Sequence, residues 1–380
     1  MLWKLILKEI KYQFKTITIY VFFGVILLFY ISQFSADPAG IQKPEPGMDY
    51  YGYIEITDEY EEMKEIYNKL ENDLSSGEVT KYTPLYKTVK LSDDEKSQLE
   101  EWLGEIAPSR DVKDPKTDIN VEYDRFIDIV HSYDSLMGGS TVYSDEHRHT
   151  FRNKTYEEAL EEYEKIKEKD KFTNASARLF SDYMGITAGL FPIFIAGFVL
   201  LRDRKSRANE LINSSKVSSV EYVFSKYIAV CLCVMAGYFA LATFTTIKYI
   251  IVANKLNLVI DNFAFFKYTL TWITPTVLFT VAMGMLMSTL FNNAIIGIIV
   301  QAIIAYKSLM PLQGDYSLTK TIIRFNLLGE FSNYIQWRNS IIINRLFFSG
   351  VSLVFVFLTA YIWSIKRSGS LNKIVKKGVY

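Results

Sequence analysis

Residues 268–306 run for 39 positions without a charged side chain. As one helix rising 1.5 Å per residue, this stretch would measure about 58 Å, nearly twice the roughly 30 Å hydrocarbon core of a bilayer. It must turn back on itself, and the polar step Phe291-Asn292-Asn293 is the break. Four other charge-free runs, 16–32, 183–201, 227–247 and 346–365, are each long enough to cross once. The pattern predicts an all-α polytopic membrane protein with six transmembrane helices. Hydrophobic residues make up 49% of the chain, and their clustering into these runs excludes an ordinary soluble protein.

Net charge is zero, with 42 basic and 42 acidic side chains, and this balance hides an asymmetry. Residues 34–182 hold 35 Asp and Glu against 19 Lys and Arg, a net charge of −16, so the remainder carries +16. The basic residues cluster beside the spans. Lys4, Lys8, Lys11 and Lys15 precede the first, Arg202, Arg204, Lys205 and Arg207 follow the second, and Lys366, Arg367, Lys373, Lys376 and Lys377 follow the sixth. With six spans all three groups fall on one face, which the positive-inside rule makes cytoplasmic. Both termini are then inside the plasma membrane, and the acidic segment is outside it.

The expected organisation follows. Residues 1–15 form a cytoplasmic amphipathic helix, with Leu2, Trp3, Ile6, Leu7, Ile10 and Phe14 at helical spacing and the lysines on another face. Residues 16–33 form the first span, and 34–182 a mainly helical extracellular domain. Residues 183–365 hold five further spans, with a cytoplasmic loop at 202–221 and short outer helices at 311–344. Residues 366–380 are a cytoplasmic tail. Within the outer domain, helices are expected at 58–74, at 91–106 behind a Ser92/Glu95 capping box, at 121–137 up to Gly138-Gly139, and at 155–171 leading into the second span. The domain has no cysteine, so it folds without disulfides. Cys231 and Cys233 are two positions apart within a helical run and point to different faces.

Several motifs resemble chemistry without supplying it. Gly314 to Lys320-Thr321 ends like a phosphate-binding loop but lacks the glycine before the lysine, and it is expected outside the cell. Asp145, Glu146, His147 and His149 are metal-ligand types, yet adjacent positions rarely converge on one ion, and a solvated loop explains them. The glutamates between 157 and 168 read as an exposed helix face with Lys165 and Lys169 as partners. Met283, Met285 and Met287 are of a type that can face a substrate adaptably, but such residues are more often lipid-facing or packed apolar positions. The apolar runs contain no charge, which disfavours an ion-driven carrier and an intramembrane enzyme. The chain therefore offers no catalytic, metal or cofactor residues and is not expected to be an enzyme.

The densest cytoplasmic feature is the loop from Arg202 through Glu210-Leu211 and a Ser-rich turn to Glu221-Tyr222. Its basic residues anchor the topology, but that role does not account for Glu210-Leu211-Ile212. Basic residues, then Glu-Leu, a Ser-rich turn and Tyr with Lys entering the next span resemble the loop between spans two and three of type-2 ABC exporter permeases. The resemblance extends over the chain, through the N-terminal helix, the large domain after span one and the outer segment before span six. It points to a Gram-positive bacterial subgroup, through the stretch from Asp170 to Arg178, Asp182 and Gly185, the Arg324-Phe-Asn326 segment and Asn344-Arg345. The resemblance implies a permease dimer, of one or two kinds of subunit, bound to separate cytoplasmic ATPase subunits that hold the ATP and Mg. It also implies an amphipathic cargo: a peptide, an antibiotic or a lipid-linked molecule. Arg204, Arg207, Glu210 and Leu211 are then the expected ATPase-coupling residues. The alternative is a membrane receptor or sensor whose extracellular domain binds a ligand.

Overall fold

The structure, a computed structural model, describes residues 2–34, 43–82, 86–108, 118–145, 147, 148, 150–205, 217–310, 312, 314–326, 328 and 331–377. Of 86, 204, 205, 256 and 369–377 it gives the backbone alone. The chain is mostly helical and divides into two compact units, Pro44–Leu160 and a larger one made of Met1–Lys43 with Glu161–Tyr380. The smaller unit is narrower than the acidic segment 34–182.

Among the described residues of the larger unit, four helical stretches are long and apolar enough to cross a membrane: Thr173–Asp203, Ser219–Lys255, Ala264–Phe291 and Phe331–Ser368. A fifth arises if α1 (Leu2–Gln13) and α2 (Ile17–Gln33), bent by 71° from each other, count as one. The 39-residue uncharged run breaks at the expected step. Asn292 takes a left-handed conformation (φ 54°), and the Asn293 side chain caps the next helix by accepting from the Ile295 amide at 2.9 Å. That helix, Ala294–Leu309, has 16 residues and so spans about 24 Å, short of a full hydrocarbon core.

Two boundaries differ from expectation. The helix of the second apolar run starts at Thr173, well before 183, as α7 (Thr173–Leu190), and resumes after a break at Phe191 as α8 (Pro192–Lys205). It takes Arg178 and Asp182 into its buried face, each matched by an opposite charge. The second difference corrects the outer helices expected over 311–344. The described residues between 312 and 328 are turns and extended chain, and a single helix then runs from Phe331 to Lys377.

After α8 come α9 (Ser219–Leu256), α10 (Ala264–Tyr268), α11 (Thr274–Phe291), α12 (Ala294–Leu309) and α13 (Phe331–Lys377). A π-helical turn, Thr269–Ile273, joins α10 to α11. α11 is the central helix, buried nearly throughout and packed against α8, α9, α12 and α13. Met283 and Met285 are among its buried residues. Gly284 permits this closeness, since a Cβ there would lie 3.0 Å from that of Ala196 and 3.2 Å from Ile193.

The smaller unit has its own apolar core. α3 (Glu59–Ser76) starts at Asp58, whose carboxylate accepts from the Glu61 amide at 3.0 Å, and stops at Gly77 with φ 69°. α4 (Asp93–Ile106) starts at the Ser92/Glu95 capping box, and α5 (Tyr123–Leu136) follows. Each turns one apolar stripe inward, for example Ile66 and Leu70, Leu99 and Leu103, and Phe126 and Val130. The unit is not purely α. β1 (Tyr53–Glu55) pairs with β4 (Phe151–Asn153), and β2 (Glu78–Tyr82) with β3 (Tyr86–Lys90), both antiparallel. The β2–β3 pairs set Val79 against Val89 and Thr80 against Thr88, β-branched residues suited to a pleated surface.

Asp73 on α3 is drawn into this unit, where it accepts hydrogen bonds from the hydroxyls of Tyr143 at 2.7 Å and Tyr133 at 3.4 Å. Burial pushes its carboxyl up to about 6, and its charge together with burial raises both phenols. The folded unit thus keeps a proton that the unfolded chain releases near pH 3.8. Its stability should fall as pH rises from about 4.5 to about 6. Glu158 has the opposite sign, since Arg152 and the Thr155 amide lower it to about 2, and its contribution is complete above pH 4.5. Urea unfolding of a 44–160 fragment is expected to show the fall, and Asp73→Asn to flatten it. An unchanged slope in Asp73→Asn would contradict the assignment.

Candidate functional site: a buried ionic joint at the α1 end of the bundle

α1 presents three faces. Ile6, Glu9 and Gln13 are buried and α1 packs along α9, the lysines are exposed, and Trp3, Leu7 and Phe14 point outward. Glu9, the one acidic residue in 1–33, thus lies on the buried face with Ile6 and Gln13. Its carboxylate accepts from Lys226 of α9 at 2.8 Å, from Arg202 of α8 at 3.0 Å and from Gln13 at 2.7 Å. Lys226 also pairs with Asp203 at 2.8 Å, and the Tyr222 hydroxyl donates to Asp203. Arg202 lies 3.7 Å above the Tyr12 ring. Two cations and two anions thus close into one neutral cluster joining α1, α8 and α9.

This cluster sits at both roots of the charged loop. Asp203 is near the last described residue before 206–216, and α9 begins just after it. The Ser218 hydroxyl accepts from the Glu221 amide, and the Glu221 carboxylate accepts in return from the Ser218 amide, both at 3.1 Å. α13 is tied to the same end. Trp363 packs on Tyr222 with ring centroids 5.0 Å apart, Arg367 donates to the Val217 carbonyl at 2.6 Å, and Lys366 donates to Asn292 at 3.0 Å. Of the expected coupling residues, Arg207, Glu210 and Leu211 lie outside the described residues, and Arg204 is described by its backbone alone.

At the opposite end of the bundle, a second polar layer gathers sequence pieces that are far apart. Asp170 ends a π-helical turn (Ile166–Asp170), and Lys171 and Phe172 follow with φ of 50° and 51°. Arg178, fully buried, grips Asp170 through two hydrogen bonds at 2.8 and 2.6 Å and lies 4.5 Å above the Tyr334 ring. Asp182 pairs with Arg324. Arg345 donates to the Trp272 carbonyl at 3.0 Å, to Thr276 at 2.7 Å and to the Thr321 carbonyl at 3.1 Å, while Asn344 donates to the Ser317 and Lys320 carbonyls at 2.6 and 2.9 Å. These bonds seat the segment around 315–326 on α7, α11 and α13. Lys320 of the phosphate-loop lookalike pairs with Asp315 at 3.2 Å and caps the Lys307 carbonyl at 2.9 Å, a structural use.

Of the suspected metal ligands, Asp145 meets His131 at 2.9 Å, His147 packs against the Tyr82 ring at a tilt of 53°, and Glu146 and His149 lie outside the described residues; no group of three metal-binding side chains occurs among the described residues. Neither a family model, nor a curated protein, nor a solved structure matches the chain.

Glu9 and Asp203 were not singled out by sequence, and Tyr222 and the lysine entering the next span figured only in the loop's resemblance, without a bonding role. The available signals were slight: one carboxylate in a basic amphipathic helix, and one lysine at the mouth of an apolar run. Removing one partner of a buried pair strands the other, at about 3–5 kcal/mol. Glu9→Gln and Lys226→Met should each lower the unfolding temperature of the detergent-purified protein. The double variant should lower it by clearly less than the two single losses combined. Additive losses would show that the two side chains are not coupled.

Proposed function

We propose that the chain is the membrane-spanning permease subunit of an ATP-driven type-2 ABC exporter. The observation that carries this reading is the ionic cluster: an N-terminal helix bent away from the first span and both roots of the longest charged loop meet in one closed set of ion pairs. A force applied to the loop is thereby shared at once by α1, α8, α9 and, through Arg367 and Trp363, α13. Such a joint suits a machine driven from its cytoplasmic side, and the resemblance in the loop and in the buried Asp170–Arg178, Arg324 and Asn344-Arg345 pieces supports the same assignment.

In this reading six segments cross the bilayer, α2, α7–α8, α9, α10–α11, α12 and α13, with both termini cytoplasmic in the bacterial plasma membrane. The short α12 is completed by its polar flanks. The acidic unit 44–160 is extracellular. A second permease subunit completes the pathway for an amphipathic substrate, and ATP and Mg are bound by a separate ATPase subunit that contacts Arg204, Arg207, Glu210 and Leu211. Arg207 and Leu211 are four positions apart and share a face on a helix, so Leu211 fills an apolar cleft while the charges set the orientation.

Affinity purification of the full-length chain from native membranes is expected to recover an ABC-type ATPase. Glu210→Arg should reduce that recovery severalfold and leave membrane insertion intact. Glu100→Arg, at an exposed position in the 44–160 unit, should leave both unchanged. Recovery of the chain with a sensor kinase and no ATPase would overturn the proposal.

A further inference from the structure

The corner where α1 bends into α2 is not filled by protein. A groove of about 260 Å³ opens there between the corner and α8. Phe194, Phe198 and Arg202 recur every four residues along α8 and line it, together with Val199. Their spacing lays an apolar wall roughly 12 Å long that ends in a guanidinium. At that polar end Thr16 and Gln13 complete the lining. The groove is therefore graded along its length, from two phenyl rings to a cation beside a hydroxyl and an amide.

Three observations identify what fits it. First, Phe194 and Phe198 are 43% and 46% exposed on a helix apolar enough to cross a membrane, so the wall faces acyl chains. Second, the polar end carries the guanidinium of Arg202, which the neutral cluster does not use in full. Arg202 uses Nη2 for Glu9 and directs Nε towards Asp203, while Nη1 has no partner among the described residues. Exposed Lys8 and Lys11 on α1, and Lys15 in the turn after it, add positive potential. Third, the volume is below the roughly 300–1,000 Å³ of pockets that enclose a whole small-molecule ligand. It suits part of an amphiphile whose remainder stays in the bilayer.

We infer that this groove is a binding site for one anionic phospholipid, with the phosphodiester on Arg202 and Thr16 and the start of one acyl chain along Phe198 and Phe194. The site depends only on the membrane-embedded character of the larger unit and is independent of the exporter assignment. Guanidinium forks recognise phosphate oxygens through paired donors, and the phenyl wall restricts the ligand to one that carries a chain. Because Arg202 also holds Glu9, the lipid headgroup lies directly against the ionic cluster.

The test is native mass spectrometry of the full-length protein, delipidated in an uncharged detergent and offered phosphatidylglycerol and phosphatidylcholine in equal amounts. The wild type should retain one phosphatidylglycerol under activation that strips phosphatidylcholine. Arg202→Ala should reduce that retention about tenfold or more. Phe198→Ser, which leaves every ion pair in place, should also reduce it, so the test stands if Arg202→Ala fails to fold. Leu358→Ser, on an exposed face of α13, should have no effect. Equal retention of the two lipids, or phosphatidylglycerol retention unchanged in Phe198→Ser, would reduce the groove to ordinary lipid contact and overturn the site. Displacement of the lipid by millimolar inorganic phosphate would assign the polar end to a free anion and equally overturn it.

Discussion

A carboxylate withdrawn from water costs several kcal/mol unless opposite charges and hydrogen bonds enclose it. Glu9 is withdrawn from water because α1 packs along α9, and it is enclosed by Lys226, Arg202 and Gln13. The geometry of the whole α1 end follows from that requirement. α1 has to lie where Glu9 reaches Lys226. α8 has to end where Arg202 and Asp203 close the cluster. α9 has to begin early enough to bring Tyr222 onto Asp203. The 71° bend after Gln13 is the consequence for the chain path, since α2 then leaves in a different direction.

The same constraint shapes the opposite end by other means. Asp170 and Asp182 are matched by Arg178 and Arg324, whereas Arg345 is held by carbonyl and hydroxyl oxygens. Two π-helical turns lie beside this layer, Ile166–Asp170 and Thr269–Ile273. The Trp272 carbonyl, within the second, is one of the acceptors that Arg345 uses. π-helical turns recur at functional sites, because they aim backbone groups away from the regular ladder. Between the two polar layers, α11 packs closely through Gly284 without a charge.

Local chemistry was legible in the sequence and long-range chemistry was not. The break at Asn292-Asn293 and the capping box at Ser92 are written in a few neighbouring residues. The membrane-embedded, mainly helical character rests on apolar run length alone. Glu9 and Lys226 are 217 residues apart, and nothing local marks them as partners. The early start of α7 was missed because Arg178 and Asp182 read as the end of an apolar run, when each has its counter-charge elsewhere in the chain. The short strands of the 44–160 unit were missed for want of length, since three to five residues carry too little periodicity. The expected coupling residues Arg207, Glu210 and Leu211 lie outside the described residues.

In the proposed permease the two polar layers have to face opposite aqueous compartments, with the Glu9 layer on the cytoplasmic side. The most direct test of this arrangement is reaction of single cysteines, in a chain lacking Cys231 and Cys233, with a membrane-impermeant thiol reagent on intact cells. Positions Glu100 and Thr319 should react, and positions Lys11 and Ser368 should react only after the cells are opened; all four are exposed. Reaction at position 11 or 368 in intact cells, or protection at 100 and 319, would contradict the account.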